Sequence, residues 1–345
     1  MDFKSLFLVN HQSPGDILML TAAVRDLKKA YPELRINVET SAMELWNYNP
    51  NLDRTISSLN ADKFLKVEYP LIHTSNKGAH HFIHGFRMFL EDQLNLKIPQ
   101  GMMCCDVFLC RQEAEDVSWI KKEIGLEYGY WIMNAGAKYD FTAKMWETAR
   151  FQQVVDATKD KITWVQIGAK KHNHPALKNV VDLRGKTNHR QMIQLMYRSY
   201  GVVTGISYPM HLSRIPMFNG GMRERPCVVI AGGREPVCWE AYTPHQFLHT
   251  CGALQCCDSG GCWKSRVVPL GDNDSKDKSL CAFPVKTNSG QVIPKCMDMI
   301  TAEDVIHAIN QYLYWDWSHK KLGELIHNKA QQIFVDSFVS SSTTA

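Results

Sequence analysis

Four sets of residues in this 345-residue chain have the types and spacing to do chemistry. The first is Asn134, Ala135, Gly136 and Ala137 with Lys144, in the run Asn134-Ala-Gly-Ala-Lys-Tyr-Asp-Phe-Thr-Ala-Lys144-Met-Trp146. A small-residue turn between an apolar strand (130–133) and a helical pattern gathers backbone N–H groups, and the helix dipole adds positive character. Lys144 would supply a full charge, so the chemistry is phosphate binding. The same run also reads as an ordinary strand-to-helix connection with a solvated lysine. The second is Asp16, at a helix start beyond the end of a strand. It fits a helix cap, and the dipole that favours its ionised form also suits a general base. The third lies in 66–90, where His73, Asn76, His80, His81, His84, Lys77 and Arg87 share a turn-rich span. No Cys, Asp or Glu stands at ligand spacing there. An acceptor-facing loop with His73, Asn76 and His84 as its contacts, or a plain solvated surface, both fit. The fourth is Cys256-Cys257-Asp-Ser-Gly-Gly-Cys262, then Cys281 and Cys296. Two separated thiol clusters in a Gly-, Asp- and Lys-rich stretch suit a tetrahedral zinc or iron site, or are reduced thiols of a surface segment.

The elements that must position these groups alternate. Residues 5–10 read as a buried parallel strand, 17–30 as a helix ended by Tyr31-Pro32, and 35–40 as a strand followed by a helix through Trp46. Residues 100–129 read as the crossing between domains, with Cys104, Cys105 and Cys110 in a strand and an acidic helix up to Gly125. Strands follow at 130–133, 162–167, 180–183, 201–204 and 227–230, with helices between, and 302–317 is an amphipathic helix. Strand–helix alternation predicts parallel sheets covered by helices, whose ligands sit at the carboxyl ends of the strands. The basic loop Gly168-Ala-Lys-Lys-His-Asn-His-Pro175 follows one such strand. The length predicts two domains. A net charge of +4 and a pI near 8.4 suit a phosphorylated substrate and fall short of a dedicated nucleic-acid binder. No apolar run reaches the roughly 18 residues of a membrane span. The N-terminus lacks a signal pattern, and eleven cysteines without one point to a reducing, cytoplasmic setting.

Ser13-Pro-Gly-Asp16, with the helix that runs on to Tyr31-Pro32, resembles the opening of family 9 glycosyltransferases, the ADP-heptose:lipopolysaccharide heptosyltransferase group. Asn49-Pro-Asn-Leu-Asp53, Asn134-Ala-Gly-Ala with Lys144 and Trp146, Asp182-Leu-Arg-Gly-Lys-Thr187 and Val228-Val-Ile-Ala-Gly-Gly233 resemble later family motifs, in family order. The family's Asp-Thr-Gly-x-x-His run is matched only in part by Val203-Thr-Gly-Ile-Ser-Tyr-Pro-Met-His211. Aligned on Thr204 and Gly205 it carries three extra residues; aligned on His211 it puts Ser207 at the Thr position. Either way the Asp is missing. The resemblance implies a GT-B fold, two Rossmann-like α/β domains facing a cleft. Residues 1–125 would form the acceptor side and 126–318 the nucleotide-sugar side, including the Cys-rich 251–300. A helix at 319–336 would return to the first domain, and 337–345 would be a disordered tail. The implied reaction is inverting transfer of a hexose or heptose from a nucleotide-diphosphate sugar to an acceptor hydroxyl. Asp16 would be the base, and Asn134–Ala137, Lys144, Thr204, Gly205, Ser207 and His211 would hold the donor, with no divalent cation required. The acceptor, a glycan, a protein side chain or a hydroxymethylated DNA base, stays open, as does the oligomeric state. A nucleotide-sugar-binding protein without catalysis is the alternative. The cysteines resemble the iron finger of bacterial autotransporter heptosyltransferases. That likeness implies structural iron or zinc on Cys257, Cys262, Cys281 and Cys296, with Cys256 as the substitute for Cys257.

Overall fold

The computed structural model describes residues 2–68, 71, 74–78, 80–217 and 225–314. The first lobe opens with β1 (Ser5–Asn10), α1 (Pro14–Ala30), β2 (Arg35–Thr40) and β3 (Lys63–Lys66), and its three-stranded sheet is parallel, ordered β2-β1-β3. Helix α1 starts where it does because Pro14 fits its first position and Ser13 and Asp16 form a capping box, Asp16 Oδ2 accepting from Ser13 N at 2.9 Å. Leu20, Val24 and Leu27 bury one side of α1 completely.

The stretch after β2 holds only a single 3₁₀ turn, Met43–Trp46, rather than the expected helix. Helices α2 (Gly85–Leu94), α3 (Arg111–Glu115) and α4 (Ser118–Ile124) follow. Cys104 and Cys105 lie on a loop instead of a strand. That loop is fastened to α1, with Arg25 Nη1 donating to Cys104 O (2.9 Å) and Asp106 N to Thr21 Oγ1 (2.8 Å). Backbone groups held by side chains need no ladder.

The second sheet has six parallel strands, ordered β6-β5-β4-β7-β8-β9. Its elements are β4 (Trp131–Asn134), α5 (Thr148–Thr158), β5 (Trp164–Gln166), β6 (Val181–Asp182), α6 (His189–Arg198), β7 (Gly201–Gly205), α7 (Tyr208–Leu212), β8 (Cys227–Gly232), α8 (Val237–Glu240) and β9 (His245–His249). The expected strands are all present, and β9 is an addition at the edge. Both faces are covered. Tyr130 and Ile132 enter one core cluster and Trp131 and Met133 the other, the period-2 alternation of a strand buried on both sides. The first cluster also contains Leu6, Leu8 and the α1 side chains, so one apolar core joins the two sheets. A hairpin of β10 (Pro284–Lys286) and β11 (Val292–Pro294), then α9 (Lys295–Asp298) and a helix over 302–314, complete the described chain. The expected returning helix at 319–336 and the tail at 337–345 lie outside the described residues.

Candidate functional site

A cleft of about 700 Å³ opens where the carboxyl ends of both sheets meet. Asp16, Asn134, Gly136, Ala137, Lys144, Gly205, Ser207 and His211 all line it. Thr204 and Ala135 support these walls from beneath, fully buried. Chain folding thus brings the proposed base and the expected donor groups to one space, although 195 positions separate the numbers 16 and 211.

On the first lobe, the wall is the turn Ser13–Asp16 at the start of α1, with Glu44 and Phe82. Lys138, on the loop after β4, reaches across the cleft and donates from Nζ to Ser13 Oγ at 2.8 Å. The two lobes therefore touch directly beside Asp16.

On the second lobe, Asn134 at the end of β4 ties the two neighbouring strand ends together. Its Nδ2 donates to Thr204 Oγ1 and Ser207 Oγ, both at 3.1 Å, and those two oxygens lie 3.0 Å apart. Both alignments of the Thr204–His211 run are thus represented in one polar cluster. Gly136 has φ 131°, and a Cβ there would lie 2.0 Å from Asn173 O, so no side chain fits. The loop 168–174 lines the cleft with Lys170, His172 and His174, and His174 Nδ1 stands 3.2 Å from Ala135 O.

Two expectations for the phosphate turn need correction. The Ala137 N–H is not free, since it donates to Asn173 O at 3.1 Å while Asn173 N donates back at 3.0 Å. The helix after the turn, α5, opens only at Thr148, and its Thr148 N is taken by Gln291 Oε1 at 3.0 Å. The helix starts that face the cleft belong instead to α1, α6 and α7. Trp146 is buried against Phe151, with Nε1 donating to Ile300 O at 2.9 Å.

The turn after β8 supplies groups that sequence reasoning passed over. Lys144 Nζ lies 2.6 Å from Glu235 Oε1, and Arg234 Nη1 also bonds to that carboxylate. Burial alone would raise the Glu235 carboxyl, but the charges of Arg234 and Lys144 outweigh it and hold it below its ordinary value. Arg234 sits over both the Phe141 and Trp263 rings, 5.4 Å from each centroid. Glu240 is different: burial, reinforced by the nearby Glu235 charge, pushes its carboxyl well above the usual range. His211 is driven down to about 3 by burial, and its Nδ1 lies 2.9 Å from the Tyr242 hydroxyl. His211 Nε2 lies 3.6 Å from Glu240 Oε2. A signal for this turn existed, because Gly232-Gly233-Arg234-Glu235-Pro236 follows a strand directly.

The expected acceptor contacts are not gathered here. His73 lies outside the described residues. Asn76 is pinned to the Cys-rich segment, accepting from Gly261 N at 2.9 Å and donating to Gly261 O at 2.8 Å. His84 is buried away from the cleft, its imidazole lowered to about 4 by burial and then by Arg87.

The thiols of Cys256, Cys262, Cys281 and Cys296 line a second, small void of about 10 Å³. Cys257 is turned away from it. Its Sγ contacts Leu254 O (3.4 Å) and Thr250 O (3.6 Å) and packs on Gly233, so Cys256 occupies the position expected of Cys257. Burial and the neighbouring thiols push Cys256 up to about 11. Among the described residues, no group of three or more His, Cys, Asp or Glu is arranged as a formed metal site. The four thiols share a space without having closed on one point.

Two parallel-sheet lobes that face each other across such a cleft define the GT-B class of α/β fold. Neither a family model nor a curated protein sequence matches the chain. Solved structures do. The glycosyl transferase family 9 protein from Veillonella parvula DSM 2008 superposes with a TM-score of 0.61 at 15% identity, over 91% of this chain and 98% of that one. E. coli ADP-heptose lps heptosyltransferase II gives 0.54 at 14% identity, over 90% and 99%. The iron-containing dodecameric glycosyltransferase TibC from enterotoxigenic E. coli H10407 gives 0.58 at 17% identity, over 90% and 76%, and is also solved in complex with ADP-D-beta-D-heptose. At these identities the likeness is one of fold. No helix among the described residues is long and apolar enough to cross a membrane.

Proposed function

We propose that this protein is a glycosyltransferase that moves a hexose or heptose from a nucleotide-diphosphate sugar to an acceptor hydroxyl, with inversion. The observation that carries the reading is that Asp16 and Lys144 line one cleft from opposite lobes. Asp16 takes the acceptor proton as the oxygen attacks the sugar carbon from the face opposite the diphosphate. Lys144 and the Asn134–Ser207 cluster stabilise the diphosphate as it departs and gains charge. The binding of ADP-D-beta-D-heptose by TibC supports a purine diphosphate sugar as the first donor to try. The test is a melting-temperature screen against nucleotide sugars, followed by a transfer assay. A true donor at a hundredfold excess over its Kd stabilises the protein by about 2.7 kcal/mol. A screen in which no nucleotide sugar raises the melting temperature overturns the reading.

A structural iron or zinc held by Cys256, Cys262, Cys281 and Cys296 belongs to the same proposal. Four thiols around one void fit a four-thiolate set, and TibC is iron-containing. Such a metal staples the segment 251–300, whose loops bury few large aliphatic side chains. Elemental analysis tests it, and protein free of both iron and zinc with an unchanged melting temperature refutes it.

A further inference from the structure

The side of the cleft around the turn after β8 carries buried polar atoms that the described residues leave without a hydrogen-bond partner. Among the described residues, Glu235 Oε2, Glu240 Oε2, the Tyr208 hydroxyl and Trp263 Nε1 are buried without a hydrogen-bond partner, and all four residues line this one cleft. Glu235 and Glu240 are only 2% and 5% exposed. A buried acceptor left unpaired is costly, and native chains seldom keep several together unless water or a ligand completes them.

The chemistry of the missing partner follows from the groups. A phosphate brings only acceptors and negative charge, so it cannot satisfy the Glu235 carboxylate; that end of the donor belongs beside Lys144 and Asn134. A hydroxyl both donates and accepts. Arg234 and Lys144 hold the Glu235 carboxyl below its ordinary value, which favours an acceptor, while burial and the neighbouring Glu235 charge push the Glu240 carboxyl well above its own, which favours a form that can donate as well as accept. Apolar rings frame them. Phe82 from the first lobe stacks on Trp239 (5.4 Å, 21°), and Trp239 meets Trp263 edge-on at 6.4 Å. Aromatic faces beside carboxyl groups suit the C–H faces and hydroxyl rim of a pyranose.

We propose that Glu240 and Glu235, with the Trp263 indole N–H, form the subsite that reads the hydroxyl groups of the transferred sugar. This rests on the glycosyltransferase reading above and extends it. The subsite selects a neutral, hydroxyl-rich sugar. A carboxylated sugar would meet the Glu235 charge and be rejected.

The experiment compares nucleoside diphosphates with their sugar conjugates on the full chain by calorimetry: ADP with ADP-heptose, UDP with UDP-glucose, GDP with GDP-mannose. For the pair the parent prefers, the quantity read is the ratio of the two Kd values. Glu240→Ala should bind the nucleoside diphosphate within about twofold of the parent and lose about tenfold or more of the sugar's added affinity, the scale of one lost buried hydrogen bond to a charged or polar group. Glu240→Gln, which keeps a donor and an acceptor, should retain most of it. Glu240→Met keeps the volume without the polar atoms and replaces the alanine variant if that one does not fold. An unchanged ratio in Glu240→Ala or Glu240→Met overturns the proposal, as does an equal loss for both ligands. A parent that binds diphosphates but gains nothing from any sugar overturns it too. A parent that binds none of the six ligands removes the glycosyltransferase reading itself, and the subsite with it.

Discussion

Lys144 and Glu235 form a 2.6 Å pair at the floor of the cleft, so substitutions at its two ends should act in opposite directions on diphosphate binding. In Lys144→Ala the ligand loses one charge-assisted hydrogen bond, about 1.5–3 kcal/mol, or about 10- to 150-fold in Kd. The nucleoside without phosphates should bind parent and variant alike. Fold stability also falls, because Glu235 is 2% exposed and loses a counter-charge. Breaking a buried pair outright costs about 3–5 kcal/mol. Arg234 remains bonded to the same carboxylate, and the Lys144 side chain is 26% exposed, so about 1–2 kcal/mol is the expected loss. Glu235→Gln removes the competing anion and releases Lys144 toward the phosphates. Its nucleoside diphosphate affinity should hold or rise. The pH dependence has a sign as well. Glu235 is depressed below its ordinary value, so its contribution to stability is present above the unfolded carboxyl range and is lost as pH falls through the folded value. That acid-side loss should shrink in Lys144→Ala. Calorimetry with ADP and adenosine, and melting curves between about pH 3 and 8, read all of this. The reasoning is refuted if Lys144→Ala weakens nucleoside and nucleoside diphosphate equally, or if Glu235→Gln weakens diphosphate binding as much as Lys144→Ala does.

Asp16→Asn should keep the fold, since Asn still accepts from Ser13 N, and keep donor binding while turnover falls by about a hundredfold or more; turnover near that of the parent would show that another group takes the proton. Gly136→Ala should destabilise the protein by at least about 2 kcal/mol, because the added methyl meets Asn173 O at 2.0 Å on a backbone with φ 131°, and an unchanged melting temperature would count against the loop geometry. Adjacent cysteines should behave differently: Cys256→Ser should lower bound iron or zinc well below the roughly one per chain expected of a four-thiolate site, whereas Cys257→Ser should retain it. The reverse order in elemental analysis would restore Cys257 as the ligand.

What the sequence determined by itself is whatever local physics controls. The inner strands of the second sheet are legible because a strand buried on both faces is largely apolar, as in Tyr130-Trp131-Ile132-Met133, whereas the more polar edge strand β9 went unread. The start of α1 is legible to within three residues, read at 17 and found at Pro14, because Ser13, Pro14 and Asp16 already satisfy the first turn, and a parallel strand before it puts Asp16 at a carboxyl edge. Contacts between distant turns are not encoded in any one of them. Cys256 and Cys257 have the same chemistry and nearly the same position in the chain; only the packing of Cys257 onto Gly233 turns the other thiol toward Cys262, Cys281 and Cys296. Asn76 reads as a polar loop residue until Gly261, far along the chain, takes both ends of its amide. The helix after the Asn134 turn reads as a phosphate-binding start, yet Gln291 closes α5 and the start of α7 stands at the cleft instead. Nothing in the local sequence marks Glu235 or Glu240 as buried; their burial, opposite titration and common wall exist only once β8 packs between β7 and β9 and carries them to the cleft. Burial is a property of the assembled core, and it decided which charged residues of this chain line the cleft.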